Sequence, residues 1–128
     1  MPETQEIVIN TGPLIALVAA LGDLSILKIY RRVCVPHEVC SEITIGELSR
    51  FAAPEFEAAH WLEKWNKPLS LSAMLLNSLD AGEASVIQLA LNERIRTVCI
   101  DESAGRRMAR LNGLLVTGSV GILLRATW

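Results

Sequence analysis

The chain has 128 residues, 51% of them hydrophobic, which is enough to cover both faces of a small sheet and too little for two ordinary domains. Charged residues make up 20% and the formal net charge is −2, which excludes a large overall positive field and leaves any basic surface local. No window holds the roughly 20 continuous apolar residues that a bilayer span requires, and the polar start Met1-Pro2-Glu3-Thr4-Gln5-Glu6 does not read as a signal peptide, so the expectation is a cytoplasmic protein without membrane contact.

The first element is the β-branched run Ile7-Val8-Ile9, stopped by Asn10-Thr11-Gly12-Pro13. It reads as a buried strand, a turn and a helix start, with Pro13 suited to the first helical turn. Gly22 punctuates that helix, and Asp23 suits the cap of a second one carrying Leu24, Ile26, Leu27 and Ile29, closed by Arg31 and Arg32. Val33-Cys34-Val35 is a second strand, and Pro36 suits the first position of a helix through Val39, Cys40 and Ile43. At about 100° per residue, Glu42 borders the apolar arc of that helix, while Glu38 lies further toward solvent.

Residues 44–78 are the least legible. Phe51, Phe56, Trp61 and Trp65 suggest helical packing or a peripheral strand, and the four-residue spacing of the two tryptophans reads as core. Asp80 to Glu93 is a helix with a broad apolar face, and Thr97-Val98-Cys99-Ile100 is a strand ending at Asp101. A helix with Arg106, Arg107 and Arg110 on one side follows, ended by Gly113. Leu114-Leu115-Val116 is a fourth strand, running through Thr117-Gly118-Ser119 into a last helix. Strand and helix alternate throughout. The fold class is therefore α/β, a three-layer α/β/α arrangement with a central parallel sheet of four to five strands in a single domain over residues 1–128. Cys34, Cys40 and Cys99 form no C-x-x-C pair and read as buried thiols.

Ligands of open parallel sheets bind beyond the carboxyl ends of the strands. The polar residues leaving those ends are Asn10 and Thr11, Asp101 and Glu102, and Thr117 and Ser119, to which the helices add Glu42 and Glu83. Each has a simpler rival role. Glu42 could be an ordinary solvated helix residue, Asp80-Ala81-Gly82-Glu83 has acids at the N-cap and N3 positions of a capping box, and Asp101 could cap the helix starting near Ser103. Jointly, converging carboxylates repel one another and call for a cation. Oxygen donors without His or Cys point to Mg²⁺ or Mn²⁺ rather than zinc. His37 and His60 lack ligand spacing, and no P-loop, G-x-G-x-x-G, G-x-S-x-G or Cys–His nucleophile pattern occurs.

Five segments taken in order resemble the PIN-domain family, with its VapC-type toxins: Ile7 to Ile15, Val35-Pro36 to Glu42, Leu79 to Ala84, Cys99 to Arg107, and Val116 to Leu124. The resemblance implies a Mg²⁺- or Mn²⁺-dependent ribonuclease with a tetrad on Asn10, Glu42, Glu83 and Asp101. Of these, Asn10, Glu83 and Asp101 would hold the metal, which would polarise a phosphoryl oxygen and activate a water. Thr11 matches the hydroxyl residue after the first acid. Arg106, Arg107 and Ser119 would contact substrate, with Arg110, Arg94 and Arg96 as further phosphate contacts and a solvated helix face as the simpler reading of the arginines. The implied partners are RNA, a cognate antitoxin protein and a second copy in a homodimer.

Two departures bear on the expectation. Asn10 stands where the family usually has aspartate, keeping a carbonyl oxygen but losing a charge. At about 4 Å and an effective dielectric near 20, a unit-charge interaction is roughly 4 kcal/mol, so weaker metal binding is expected. Trp128 follows the last helix closely, where relatives commonly continue, so a C-terminal extension is expected to be missing. Two alternatives stay open: a degenerate, non-catalytic PIN-like domain that binds RNA or protein, and a small doubly wound ligand-binding or signalling domain.

Overall fold

A computed structural model describes residues 6–46 and 49–126. The expectations resting on residues 1–5 and on Trp128 lie outside them. Five parallel strands, β1 Glu6–Ile9, β2 Arg32–Val35, β3 Glu63–Lys64, β4 Thr97–Cys99 and β5 Leu115–Thr117, form one sheet in the order β3-β2-β1-β4-β5. The centre of the sheet is β1, in register with β2 through Ile7 and Val33 and with β4 through Ile7 and Thr97. Covered on both faces, it has no use for polar alternation, and Ile7, Val8 and Ile9 are all fully buried.

The helices are α1 Thr11–Leu21, α2 His37–Ile45, α3 Ala53–Ala58, α4 Ala73–Ser78, α5 Ala81–Glu93, α6 Ser103–Leu111 and α7 Ser119–Ala126. Right-handed crossovers put α1 with α7 on one face of the sheet and α5 with α6 on the other. The three-layer α/β/α class is thus the one the strand and helix pattern implies.

The most buried helix is α5. It packs on β1 and β4 with Ala84, Val86, Ile87, Leu89 and Ala90 fully buried. The larger of these side chains contribute roughly 1.5–3 kcal/mol each. Its start is fixed by Asp80, whose carboxylate accepts the Glu83 N–H at 2.8 Å. The Glu83 side chain does not return a bond to Asp80 N–H among the described residues, so only half of the expected capping box forms. By contrast α6 buries only Gly105 and Ala109, and presents most of its surface to solvent.

Several local expectations change. The element after Asp23 is a 3₁₀ helix, Ser25–Ile29, because the Asp23 carboxylate ties Ser25 N–H and Oγ into a tight turn just before it. Arg32 does not close that helix but begins β2, where its guanidinium bonds Glu63 in bidentate fashion at 2.6 Å and reaches Glu6 and Glu93. Pro36 is the N-cap of α2, not its first residue. Glu38 is half-buried rather than solvated, because its Oε2 accepts the Leu69 N–H at 3.0 Å and anchors the segment before α4. The fifth strand, β3, comes from the least legible region, and Trp61 beside it is 39% exposed under the Lys28 ammonium instead of in the core.

No helix among the described residues is long and apolar enough to cross a membrane.

Candidate active site

From β1 the chain builds the sheet toward β2 and β3 on one side, and later toward β4 and β5 on the other. The switch falls between β1 and β4, where the two exits diverge and leave a crevice at the carboxyl ends. Asn10 leaves β1 there as the N-cap of α1, with its backbone N–H on Cys99 O at 3.1 Å. Asp101 and Glu102 leave β4 beside it.

Burial singles out the same place. Among the described residues the buried polar or charged ones are Asn10, Thr11, Glu83, Ser85 and Ser119. Ser85 is accounted for by donating to the Gly82 carbonyl at 2.6 Å within α5. The other four all stand at the sheet's carboxyl edge, on the starts of α1, α5 and α7.

Glycines let three carboxylates into this edge. A Cβ on Gly82 would collide with the Glu42 carboxylate. One on Gly105 would stand 2.9 Å from Glu83 Oε2, and one on Gly118 would stand 2.7 Å from Asp101 Oδ1. Each acid therefore occupies space that any other residue in the facing element would fill. The sequence segments Ala81-Gly82-Glu83, Ala104-Gly105-Arg106 and Thr117-Gly118-Ser119 carried that signal, which strand-end reasoning alone did not use.

Like charges crowd together here. Burial, then the neighbouring Asp80 and Glu102 carboxylates, push the Glu83 carboxyl up to about 7. Burial and the same two neighbours also raise Glu42, opposed by the nearby Thr11 hydroxyl. Asp80 and Glu102, which the sequence offers as a helix cap and a strand-end residue but which lie outside the expected tetrad, are thus members of the acidic edge. Glu83 Oε2 and Thr11 Oγ1 are buried without a hydrogen-bond partner, the Thr11 hydroxyl lying near Glu42 without the geometry of a bond.

A divalent cation fits these donors in kind. All are hard oxygens, the orphaned Glu83 oxygen is buried among like charges, and Mg²⁺ commonly takes one or two carboxylates with waters and substrate phosphates completing its shell. Among the described residues, no three Asp, Glu, His or Cys side chains converge as a self-sufficient ion cage.

Asp101 is held differently from its neighbours. Its Oδ1 accepts Ser119 N–H at 2.8 Å and its Oδ2 accepts Ser119 Oγ at 2.9 Å, so it caps α7 rather than α6. Arg106 Nη1 donates to the Ile100 carbonyl at 2.8 Å, beside Asp101. Arg107 and Arg110 share a groove with Arg106 along α6, whereas Arg94 and Arg96 line a cavity with Glu6 and Arg31 at the opposite end of the sheet. Those two cannot serve this edge. His37, half-buried at the start of α2, lines a cleft of about 500 Å³ with Glu38, Ser41, Glu42, Pro68 and Asp80. Burial pushes the Cys34 thiol up to about 11 and Cys99 higher still, which removes both as nucleophiles.

A family model described as a PIN domain matches residues 6–127. A search of curated proteins finds no match.

Proposed function

The chain belongs to the PIN-domain family, whose fold is of nuclease type and whose nucleases generally use divalent metals; from that premise we propose that it is a Mg²⁺- or Mn²⁺-dependent endoribonuclease acting at the acidic edge. The observation that carries the reading is Glu83: a carboxylate 5% exposed, with one oxygen unpartnered, its pKa raised by burial and then by two further acids at the switch point of the sheet.

In this reading Asn10, Glu83 and Asp101 supply oxygens to the ion. When bound, the ion polarises a phosphoryl oxygen and acidifies a water. Glu42, exposed at this edge, would serve as general base toward an attacking water. Ser119 fixes Asp101 in one orientation through its two hydrogen bonds, and Thr11 tunes Glu42. Arg106 and Arg107 receive the phosphodiester. Asn10 contributes an oxygen donor without charge, so the site leans on Glu83 and on the substrate's own phosphates for affinity. We assign to the same reading a cytoplasmic toxin of a toxin–antitoxin pair, active as a single-domain homodimer. Exposed Leu115 on the edge strand β5 and exposed Val120 and Leu124 on α7 support self-association.

The test is cleavage of single-stranded RNA in Mn²⁺ by wild type, Glu83→Gln, Asp101→Ala and Asn10→Asp. Metal-dependent cutting lost in Glu83→Gln and Asp101→Ala supports the enzyme. Asn10, together with the lack of a three-residue ion cage among the described residues, favours one other reading, a non-catalytic RNA-binding domain. That reading is right if wild type is silent and Asn10→Asp gains activity.

A further inference from the structure

The acidic edge continues into a surface of opposite sign. Ser103, Arg106, Arg107, Arg110 and Leu111 line an open groove of about 390 Å³ along α6, whose first residue follows Glu102 directly. No carboxylate among the described residues lines it. Among the described residues, ion pairing gathers on Arg31 and Arg32, and the side chains of Arg107 and Arg110 have neither an ion pair nor a hydrogen bond. Arg106 is the joint: one guanidinium nitrogen is bonded to Ile100 O beside Asp101, while the residue also lines the groove. In a chain of net charge −2, three arginines around one groove form a concentrated local cation.

Geometry narrows what neutralises it. Arg106 and Arg110 are four residues apart on one helix face, about 6 Å of rise, of the order of the step between neighbouring phosphates in an extended single strand. Planar guanidinium forks suit phosphate oxygens. Leu111, 74% exposed, ends the groove with an apolar surface on which an unpaired base can rest.

We propose that the α6 groove is a phosphodiester track, which takes single-stranded RNA on one side of the scissile bond from Arg106 at the acidic edge toward Arg110 and Leu111. The inference rests on the ribonuclease reading for its substrate class but is tested by binding alone. RNA is thereby held at several consecutive phosphates, and substrates lacking nucleotides on that side are bound poorly.

The experiment is fluorescence anisotropy with a labelled, 2′-O-methylated single strand that resists cleavage, measured in EDTA over a range of salt concentrations. Wild type is compared with Arg107→Gln/Arg110→Gln and with Arg94→Gln/Arg96→Gln at the far end of the sheet, each checked for folding by circular dichroism. The groove variant is expected to lose about tenfold in affinity at low salt. Its log–log salt slope is expected to shrink by roughly 1.4, about 0.7 for each phosphate contact removed from a single strand. The far-end variant should match wild type. Equal binding by the groove variant, a larger loss in the far-end variant, or no RNA binding by wild type overturns the track. Displacement of RNA by poly-glutamate at lower concentration than by unlabelled RNA would instead assign the groove to an acidic protein segment and overturn it as well. If binding behaves as expected but Mn²⁺ elicits no cutting, the track stands and the ribonuclease reading fails.

Discussion

The two ends of the sheet handle charge in opposite ways. At the amino ends of the strands, Arg32 is bonded to Glu63 by two nitrogens and reaches Glu6 and Glu93, so that β1, β2, β3 and the end of α5 share one network. The Arg32 guanidinium holds the Glu63 carboxyl below the usual range. At the carboxyl ends, Asp80 and Glu102 stand close to both Glu83 and Glu42, and burial together with these acids pushes both carboxyls up, with one Glu83 oxygen lacking a hydrogen-bond partner. A charge satisfied within the fold lowers a carboxyl pKa and adds stability; a charge left for a ligand raises it and costs stability. The sign of the shift therefore separates the structural end from the functional one.

The largest expected effect breaks the functional end. Glu83→Gln keeps the size of the side chain and removes its charge, and Mn²⁺-dependent RNA cleavage should fall by at least about a hundredfold, of the order seen when a general acid–base or charge-stabilising group is lost. Rates at saturating metal and over a metal titration check it; unchanged cleavage would separate Glu83 from the chemistry.

Next is the pH dependence of the metal-free protein. The folded carboxyl of Glu83 sits near 7 against an ordinary 4.5, so the folded state binds the extra proton between those values. Stability is then highest at acid pH, declines as pH rises from 4.5 through 7, and carries the full penalty above. Thermal melts in chelator from pH 5 to pH 8 should show this decline, Glu83→Gln should flatten it, and Mn²⁺ should restore the melting temperature at pH 8. Glu63 works in the opposite direction, its contribution being lost as pH falls, and is smaller because the side chain is 45% exposed.

Gly82→Ala is a finer probe. Its Cβ would displace the mobile end of the Glu42 side chain rather than backbone, so melting should change little while cleavage falls about tenfold. An unaltered rate would place Glu42 outside the reacting centre. The smallest effect belongs to the other end: Arg32→Met should cost about 1 kcal/mol in low-salt urea melts, less at high salt, and leave cleavage untouched. A loss of cleavage there would mean that the two ends are not independent.

Much of this was legible in the residues because the determining forces are local or periodic. The unbroken run Ile7-Val8-Ile9 could only be a strand covered on both faces, and the polar residues that stop the strands marked the edge where Asn10, Thr11, Glu83 and Ser119 are buried. What stayed hidden depends on distant partners. The exposure of Trp61 follows from a two-residue strand whose pairing with β2 no periodicity announces. The grip of Glu38 on Leu69 joins residues 31 apart. Asp101 does not cap the helix starting at Ser103, the rival role its sequence position offers; it binds the start of the helix after the next strand, a choice made by tertiary packing. Asp80 illustrates a different limit, since one carboxylate can cap a helix and still repel its neighbours.

The three glycines beneath the carboxylates have a consequence for how this surface tolerates change. Acids on an exposed edge can often be exchanged for one another, but a methyl group at Gly82, Gly105 or Gly118 meets an oxygen already in place. A complete map of single substitutions scored on cleavage would therefore outline the centre in relief, with residues that bear no side chain ranking beside those that perform the chemistry. At Gly105 the intolerance extends to folding, because the added carbon also meets Ile100 in the core. The shape of the vacancy is inherited along with the charge that fills it.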